Sequence, residues 1–271
     1  MMPEAIEDIK DERVALYTEY KEPQLLHYNE PGRGVFIAET PMVIERAMQS
    51  GAKPLSFFVE SGAVENEEVK CLLDRAPTVP VYAAPLNVIN TITGFNLTRG
   101  MLAAFERPHL PEARDILQTS EKVAVLEDVV NPTNVGAIFR SAAALGADAV
   151  LLTSACADPF YRRAARVAMG TVFMIPWTYI PKEAGVTELL HEHSFSVISM
   201  ALSQGALSLS DPSLKYGKRK AVIFGSEGDG ISDATLSGSD FVAKIPMHQN
   251  VDSLNVAAAS AVAFWELFKD A

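Results

Sequence analysis

Residues 122–153, KVAVLEDVVNPTNVGAIFRSAAALGADAVLLT, decide the fold class. Val123 to Asp128 is an unbroken apolar run that ends in acid, the signature of a strand covered on both faces. Asn134 to Asp148 follows with helical spacing, an asparagine where a cap is wanted and Gly146 as a stop. Ala149 to Thr153 is a second continuous apolar strand. Strand, helix and strand in this order predict a parallel α/β sheet. The rhythm continues downstream with a basic helix from Tyr161 to Met169. The strands FSVISMAL, KAVIFG and FVAKIP come next, and a closing helix runs from Ser253 to Lys269.

Upstream, VFIAE, LSFFVE and VPVYAA (35–39, 55–60 and 79–84) read as strands. PMVIERAMQSG and VENEEVKCLLDR lie between them as helices. The expected organisation is a charged extension over 1–20 and a small α/β domain over 21–108. A proline-containing linker over 109–120, able to hold a short helix, then leads into a second α/β domain over 121–271. With 48% hydrophobic residues in 271, both domains can bury a core. Cys71 and Cys156 stand far apart and match neither a disulfide framework nor a zinc-site spacing. No apolar run reaches membrane-spanning length and no leader-like segment opens the chain, so a cytoplasmic location without membrane contact is expected. The net charge of -11 argues against a general nucleic-acid binder, and any nucleic acid must be held by a local basic patch.

Three stretches depart from plain strand and helix text, and each follows a strand end, where open parallel sheets bind ligands. In NPTNVGAIFR, Asn134 is expected to cap the helix. Arg140 is expected to lean back over Gly136 and Ala137 toward it, a permanent cation at the sheet mouth. Read alone, the stretch is better explained as an ordinary capped helix with a solvated arginine. In FGSEGDGIS, Gly225, Gly228 and Gly230 permit close backbone approach, and Glu227 is the acid beside the strand exit. Its G-x-x-G-x-G spacing is a poor dinucleotide fingerprint. In IPMHQNVDSLNV, Pro246 ends sheet pairing, which leaves the backbone around Ile245 and Met247 to an outside ligand. Ser253 and Asn255 then open the last helix.

Taken together, NVGAIFR, FGSEGDGIS and IPMHQNVDSLNV resemble, in order and spacing, the three motifs of the SpoU (TrmH-like) family of RNA 2′-O-ribose methyltransferases. The resemblance covers about residues 121–271. It implies a parallel α/β sheet tied in a deep trefoil knot, a homodimer with its active site at the subunit interface, and S-adenosyl-L-methionine as methyl donor. It implies that Arg140 acts on the ribose hydroxyl, with Asn134, Glu227, Ser253 and Asn255 as the other catalytic positions. Cofactor contacts are implied for Gly225, Ile245 and Leu254, with Met247, Thr153 and Ser226 beside them. No metal is implied. Residues 20–108 resemble, more loosely, the ribosomal-protein-like RNA-binding domain of many members, which favours rRNA over tRNA as substrate. The family's usual glycine two residues after the methionine of IPM is Gln249 here, and its usual asparagine before the acid is Ser226.

Arg162, Arg163 and Arg166 on one short helix are the expected RNA contacts, and Lys215, Lys218, Arg219 and Lys220 form a second basic cluster. Three rival readings remain open: an RNA-binding homologue without catalysis, a base-directed knotted methyltransferase, and a nucleotide-dependent oxidoreductase.

Overall fold

The computed structural model describes residues 3–93, 100–249 and 252–269, so Asn250 and Val251 of the third motif lie outside it. The chain forms two compact units. One holds the described residues up to His109 together with Phe160–Phe173. The other holds Leu110–Pro159 and the described residues from Met174 onward.

The first unit is built on a five-stranded mixed sheet, β1 (Glu4–Ala5), β2 (Val35–Glu39), β3 (Pro54–Glu60), β4 (Val81–Ala84) and β5 (Met101–Glu106), in the order β1-β4-β3-β5-β2. Strands β2 and β3 both pair antiparallel with β5, a strand that the sequence reading omits. Among the described residues up to His109, the sheet is accompanied by α1 (Ala15–Thr18), α2 (Glu22–Leu26), α3 (Pro41–Gln49), α4 (Glu67–Asp74) and α5 (Leu86–Thr93). The first twenty residues are not a plain extension. Ile6, Val14 and Tyr17 sit in the core with Val35, Ile37, Phe58 and Leu102. The Tyr17 hydroxyl donates to the Ser56 carbonyl at 2.8 Å and accepts from the Ala104 N–H at 3.1 Å. The apolar positions there are too few and too irregularly spaced to show as a stripe.

The second unit begins with α6 (Ala113–Thr119), in the segment expected to be a linker. Its Ala113, Ile116 and Leu117 are buried in the core of this unit. Next come β6 (Lys122–Leu126), α7 (Pro132–Ala144) and β7 (Ala149–Leu152), the βαβ unit read from the sequence. The interiors of β6 and β7 are buried, as apolar runs without alternation require. Helix α7 starts three residues earlier than expected, its cap at Asn131 and not at Asn134. Pro132 takes the first helical position, where its missing N–H costs nothing, and Asn131 is the cap, accepting from the Thr133 N–H. Asn134 therefore lies inside the first turn, with its side chain released for other work. At the far end Gly146 adopts φ 87°, and the Ala147 N–H reaches the Ala142 carbonyl at 3.0 Å, a Schellman stop.

Helix α8 (Arg162–Val167) belongs to the first unit. Phe160 and Phe173, which bracket it, stack with each other at 5.2 Å and with Phe36 of β2 at 5.0 and 5.4 Å. Thereafter β8 (Trp177–Tyr179), α9 (Val186–Glu192), β9 (Ser196–Met200), β10 (Leu207–Ser208), β11 (Lys220–Phe224), α10 (Asp233–Gly238), β12 (Phe241–Lys244) and α11 (Val256–Phe268) complete the second unit. Its seven strands run in the order β10-β12-β9-β11-β6-β7-β8, every pair parallel. From β6 the chain builds outward through β7 and β8, then crosses to the other side of β6 to lay down β9 to β12. The switch point falls between β6 and β11, and motif one follows the first of these strands while motif two follows the second.

Candidate active site

Hydrogen bonding between neighbouring central strands brings the first two motifs to one sheet rim, and the start of α11 brings the third. Asn134 Nδ2 donates to Glu227 Oε1 at 2.6 Å, and Asn255 Nδ2 donates to the same oxygen at 2.7 Å. Asn255 Nδ2 also lies 3.2 Å from Asn134 Oδ1. One carboxylate oxygen thus gathers an amide from each of the other two motifs. Asn134 is 5% exposed, so its amide has surrendered water and needs these partners. Asn255 is the cap of α11, and its Oδ1 accepts from the Ala257 N–H at 2.9 Å while its Nδ2 serves Glu227.

Beside this cluster opens a cavity of about 410 Å³, within the size range of small-ligand sites. The rims of β9, β11 and β12 and the start of α11 line it. Gly225, Ser226, Glu227, Ile245, Met247, Ser253 and Leu254 are all in its wall. Strand pairing of β12 stops at Lys244, so the backbone of 245–247 faces the opening. Gly225 allows no side chain: a Cβ there would lie 2.2 Å from the Gly230 carbonyl. The Ser226 N–H closes the same turn on the Gly230 oxygen at 3.1 Å. Apolar walls from Met200, Leu202, Ile245 and Leu254 with a few polar points suit a purine nucleoside.

Thr153 lies outside this wall. Its hydroxyl donates to Asp128 Oδ1 at 2.6 Å and accepts from the Asp128 N–H at 2.9 Å. Arg140 is exposed and makes no hydrogen bond to Asn134 or Glu227 among the described residues. Six residues of helix place it about 240° round α7 from Asn134, so the expected lean cannot bring them together. Gln249 adopts φ 57°, the left-handed region where a glycine sits without strain.

The basic clusters are largely engaged. Arg166 Nη1 lies 3.0 Å from Glu39 Oε1 and Arg162 Nε lies 3.8 Å from Glu39 Oε2, with Glu39 only 2% exposed. Spaced four apart, these two arginines share the buried face of α8. Arg163 is left exposed. In the second cluster Lys215 pairs with Glu266, and Arg219 bonds the Leu117 and Ser120 carbonyls at the end of α6 and covers the Phe195 ring at 4.5 Å. Lys220 Nζ donates to the Gly217 carbonyl at 2.6 Å, and burial, aided by Lys122, pushes its pKa down.

The profile of the SpoU rRNA Methylase family matches residues 121–265, more than half of the chain. The chain belongs to the SpoU rRNA methylase family. It is 36% identical over 237 residues to an uncharacterized tRNA/rRNA methyltransferase of Mycobacterium tuberculosis (87% of this chain, 81% of that protein). It is 29% identical to RlmP of Bacillus subtilis, a 23S rRNA (guanosine(2553)-2′-O)-methyltransferase, over 86% of this chain and 88% of that one. Its fold superposes on the AdoMet-bound rRNA methyltransferase of Sinorhizobium meliloti with a TM-score of 0.79 at 25% identity, covering 97% and 96% of the two chains.

For this SpoU methylase, sequence reasoning missed the wall contributed by Met200, Ala201, Leu202 and Ser203. Strand β9 was legible as FSVISMAL, but its place between β11 and β12 was not, and only that adjacency makes its rim part of the cavity.

Proposed function

We propose that this SpoU methylase transfers a methyl group from S-adenosylmethionine to the 2′-hydroxyl of a ribose in ribosomal RNA. The observation that carries the reading is the gathering of Asn134 and Asn255 on Glu227 at the mouth of the nucleoside-sized cavity. The printed activity of RlmP and the AdoMet-bound state of the Sinorhizobium protein favour the same reaction.

When bound, the cofactor supplies a methyl already electrophilic on a sulfonium. The chain must then orient the ribose hydroxyl and stabilise its developing charge, and positioning of this kind lowers barriers by several kcal/mol. A guanidinium is a poor base and a good donor to an anion, so the role of Arg140 is to hold the forming alkoxide. Asn134 and Asn255 keep the Glu227 side of the site in register, and Ser253 lines the cavity beside them. Gly225, Ser226, Ile245, Met247 and Leu254 hold the cofactor. A trefoil knot formed by the C-terminal segment accounts for motif three reaching the central strands.

The active unit is a homodimer. A second copy would bring its own groups to the exposed Arg140 and complete the site. Helix α11 also leaves Val262 and Trp265 41% and 61% exposed one turn apart, an apolar strip suited to a partner. Arg163 and its surroundings in the first unit hold RNA. Calorimetric titration should show S-adenosylmethionine binding and no response to NADH. Nucleoside analysis of rRNA from a deletion strain should lack one 2′-O-methyl mark; loss of a base methyl, or of none, would overturn the reading.

A further inference from the structure

Glu127 stands outside every motif, does not line the cavity and is only 6% exposed. It directly follows β6. Its backbone N–H donates to the Phe224 carbonyl at 2.8 Å, and its Oε1 accepts from the Ser232 N–H at 2.9 Å. Phe224 is the last residue before the glycine loop, and Ser232 is the first residue after it. One residue therefore grips both ends of the seven residues from Gly225 to Ile231, with its main chain at the entry and its carboxylate at the exit.

Inside those ends Gly225 and Ile231 are buried, Ile231 in the core of the unit, and two local bonds shape the turn. Ser226 N–H meets the Gly230 carbonyl, and the Asp229 N–H meets Ser226 Oγ at 3.0 Å. Gly228, Asp229 and Gly230 are exposed, and Glu227 projects from the tip to Asn134 and Asn255. The position of Glu227 thus depends on its two asparagine partners, and it and the wall from Gly225 to Ile231 depend also on where the two ends of the loop are fixed. The carboxylate is also held at a cost, because its Oε2 is buried without a hydrogen-bond partner among the described residues. An acid kept in such surroundings, with its one bond spent on the loop exit, is explained by the need to place that loop.

We infer that Glu127 is a positioning residue that staples the glycine loop and so sets the cofactor wall and the Glu227 carboxylate. The inference rests on the reading of the cavity as the S-adenosylmethionine site. It is tested on the full chain with Glu127→Ala and Glu127→Gln, the latter keeping an acceptor oxygen at the same place. Hydrogen exchange without cofactor reads the staple itself. The peptide spanning the loop and Ser232 should exchange at least tenfold faster in Glu127→Ala and near the wild-type rate in Glu127→Gln. Titration with S-adenosylmethionine should show affinity at least tenfold weaker in Glu127→Ala and within threefold of wild type in Glu127→Gln, with similar melting temperatures for Glu127→Gln and wild type. Wild-type exchange and affinity in Glu127→Ala would overturn the role. So would a folded Glu127→Gln as impaired as the alanine variant, which also decides the matter should the alanine variant fail to fold. If the wild-type chain binds no S-adenosylmethionine, the reading of the cavity fails, whereas the exchange result still reports whether the loop is stapled.

Discussion

Asn255 works with both ends of one amide, its oxygen capping α11 and its nitrogen holding Glu227. Asn134 shows the complementary economy, since Asn131 takes over the cap and frees it for the site. The residues of the cluster were legible because their types and spacing are unusual. Their geometry was not, because Pro132 permits two helix starts in sequence and only the fold selects one. The arginines show the same limit: Arg162, Arg163 and Arg166 look alike as text, yet the buried Glu39 claims two of them. Glu39→Gln should cost about 1–3 kcal/mol in urea unfolding, the range for disturbing a buried polar pairing, and an unchanged midpoint would refute the pairing. Cys156 is buried, which pushes its thiol pKa up, while Cys71 is exposed. An aromatic disulfide reagent should therefore titrate one fast thiol, lost in Cys71→Ser, and a second only on unfolding. Because the folded pKa of Cys156 is raised, its contribution to stability is complete below the ordinary value of 9.0 and is lost as pH climbs through the higher folded one.

Among elements, the long apolar strands β6, β7, β9 and β11 were readable, since burial on both faces leaves an unbroken hydrophobic run. Short elements were not. Strand β8 has three residues, and α6 lay behind two prolines that signal a linker. The placement of α8 with the first unit was invisible, because it depends on an aromatic stack between positions far apart in sequence. Phe160→Ala empties part of that stack and should lower the unfolding free energy by about 3–5 kcal/mol. A loss below about 1 kcal/mol would mean the stack does not hold the segment. At the glycine loop, Gly225→Ala drives a methyl group into the Gly230 backbone. Cofactor affinity should fall at least tenfold and the melting temperature should drop with it; wild-type affinity and an unchanged melting temperature would show the loop to be free of that constraint.

At the scale of the molecule, the charge of -11 and a nucleic-acid substrate are reconciled by locality. The second basic cluster is mostly spent on structure, which leaves exposed Arg163 as the clearest cation for RNA in the α8 segment. Charge reversal at Arg163 should flatten the salt dependence of RNA binding by roughly 0.7–0.9 in log–log slope, the share of one phosphate contact, and an unaltered slope would remove it from the interface. The proposed dimer predicts that Trp265→Asp yields monomers in light scattering and loses methyl transfer; active monomers would exclude a shared site. On the proposed mechanism, Arg140 and the cluster around Glu227 together methylate a ribose. The most direct test of that mechanism follows a deuterated methyl group from S-adenosylmethionine into ribosomal RNA by nucleoside mass spectrometry. With the wild-type chain the label should appear on a 2′-oxygen. With Arg140→Ala transfer should fall at least a hundredfold while cofactor affinity stays within threefold. Label on a base, or undiminished transfer by Arg140→Ala, would contradict it.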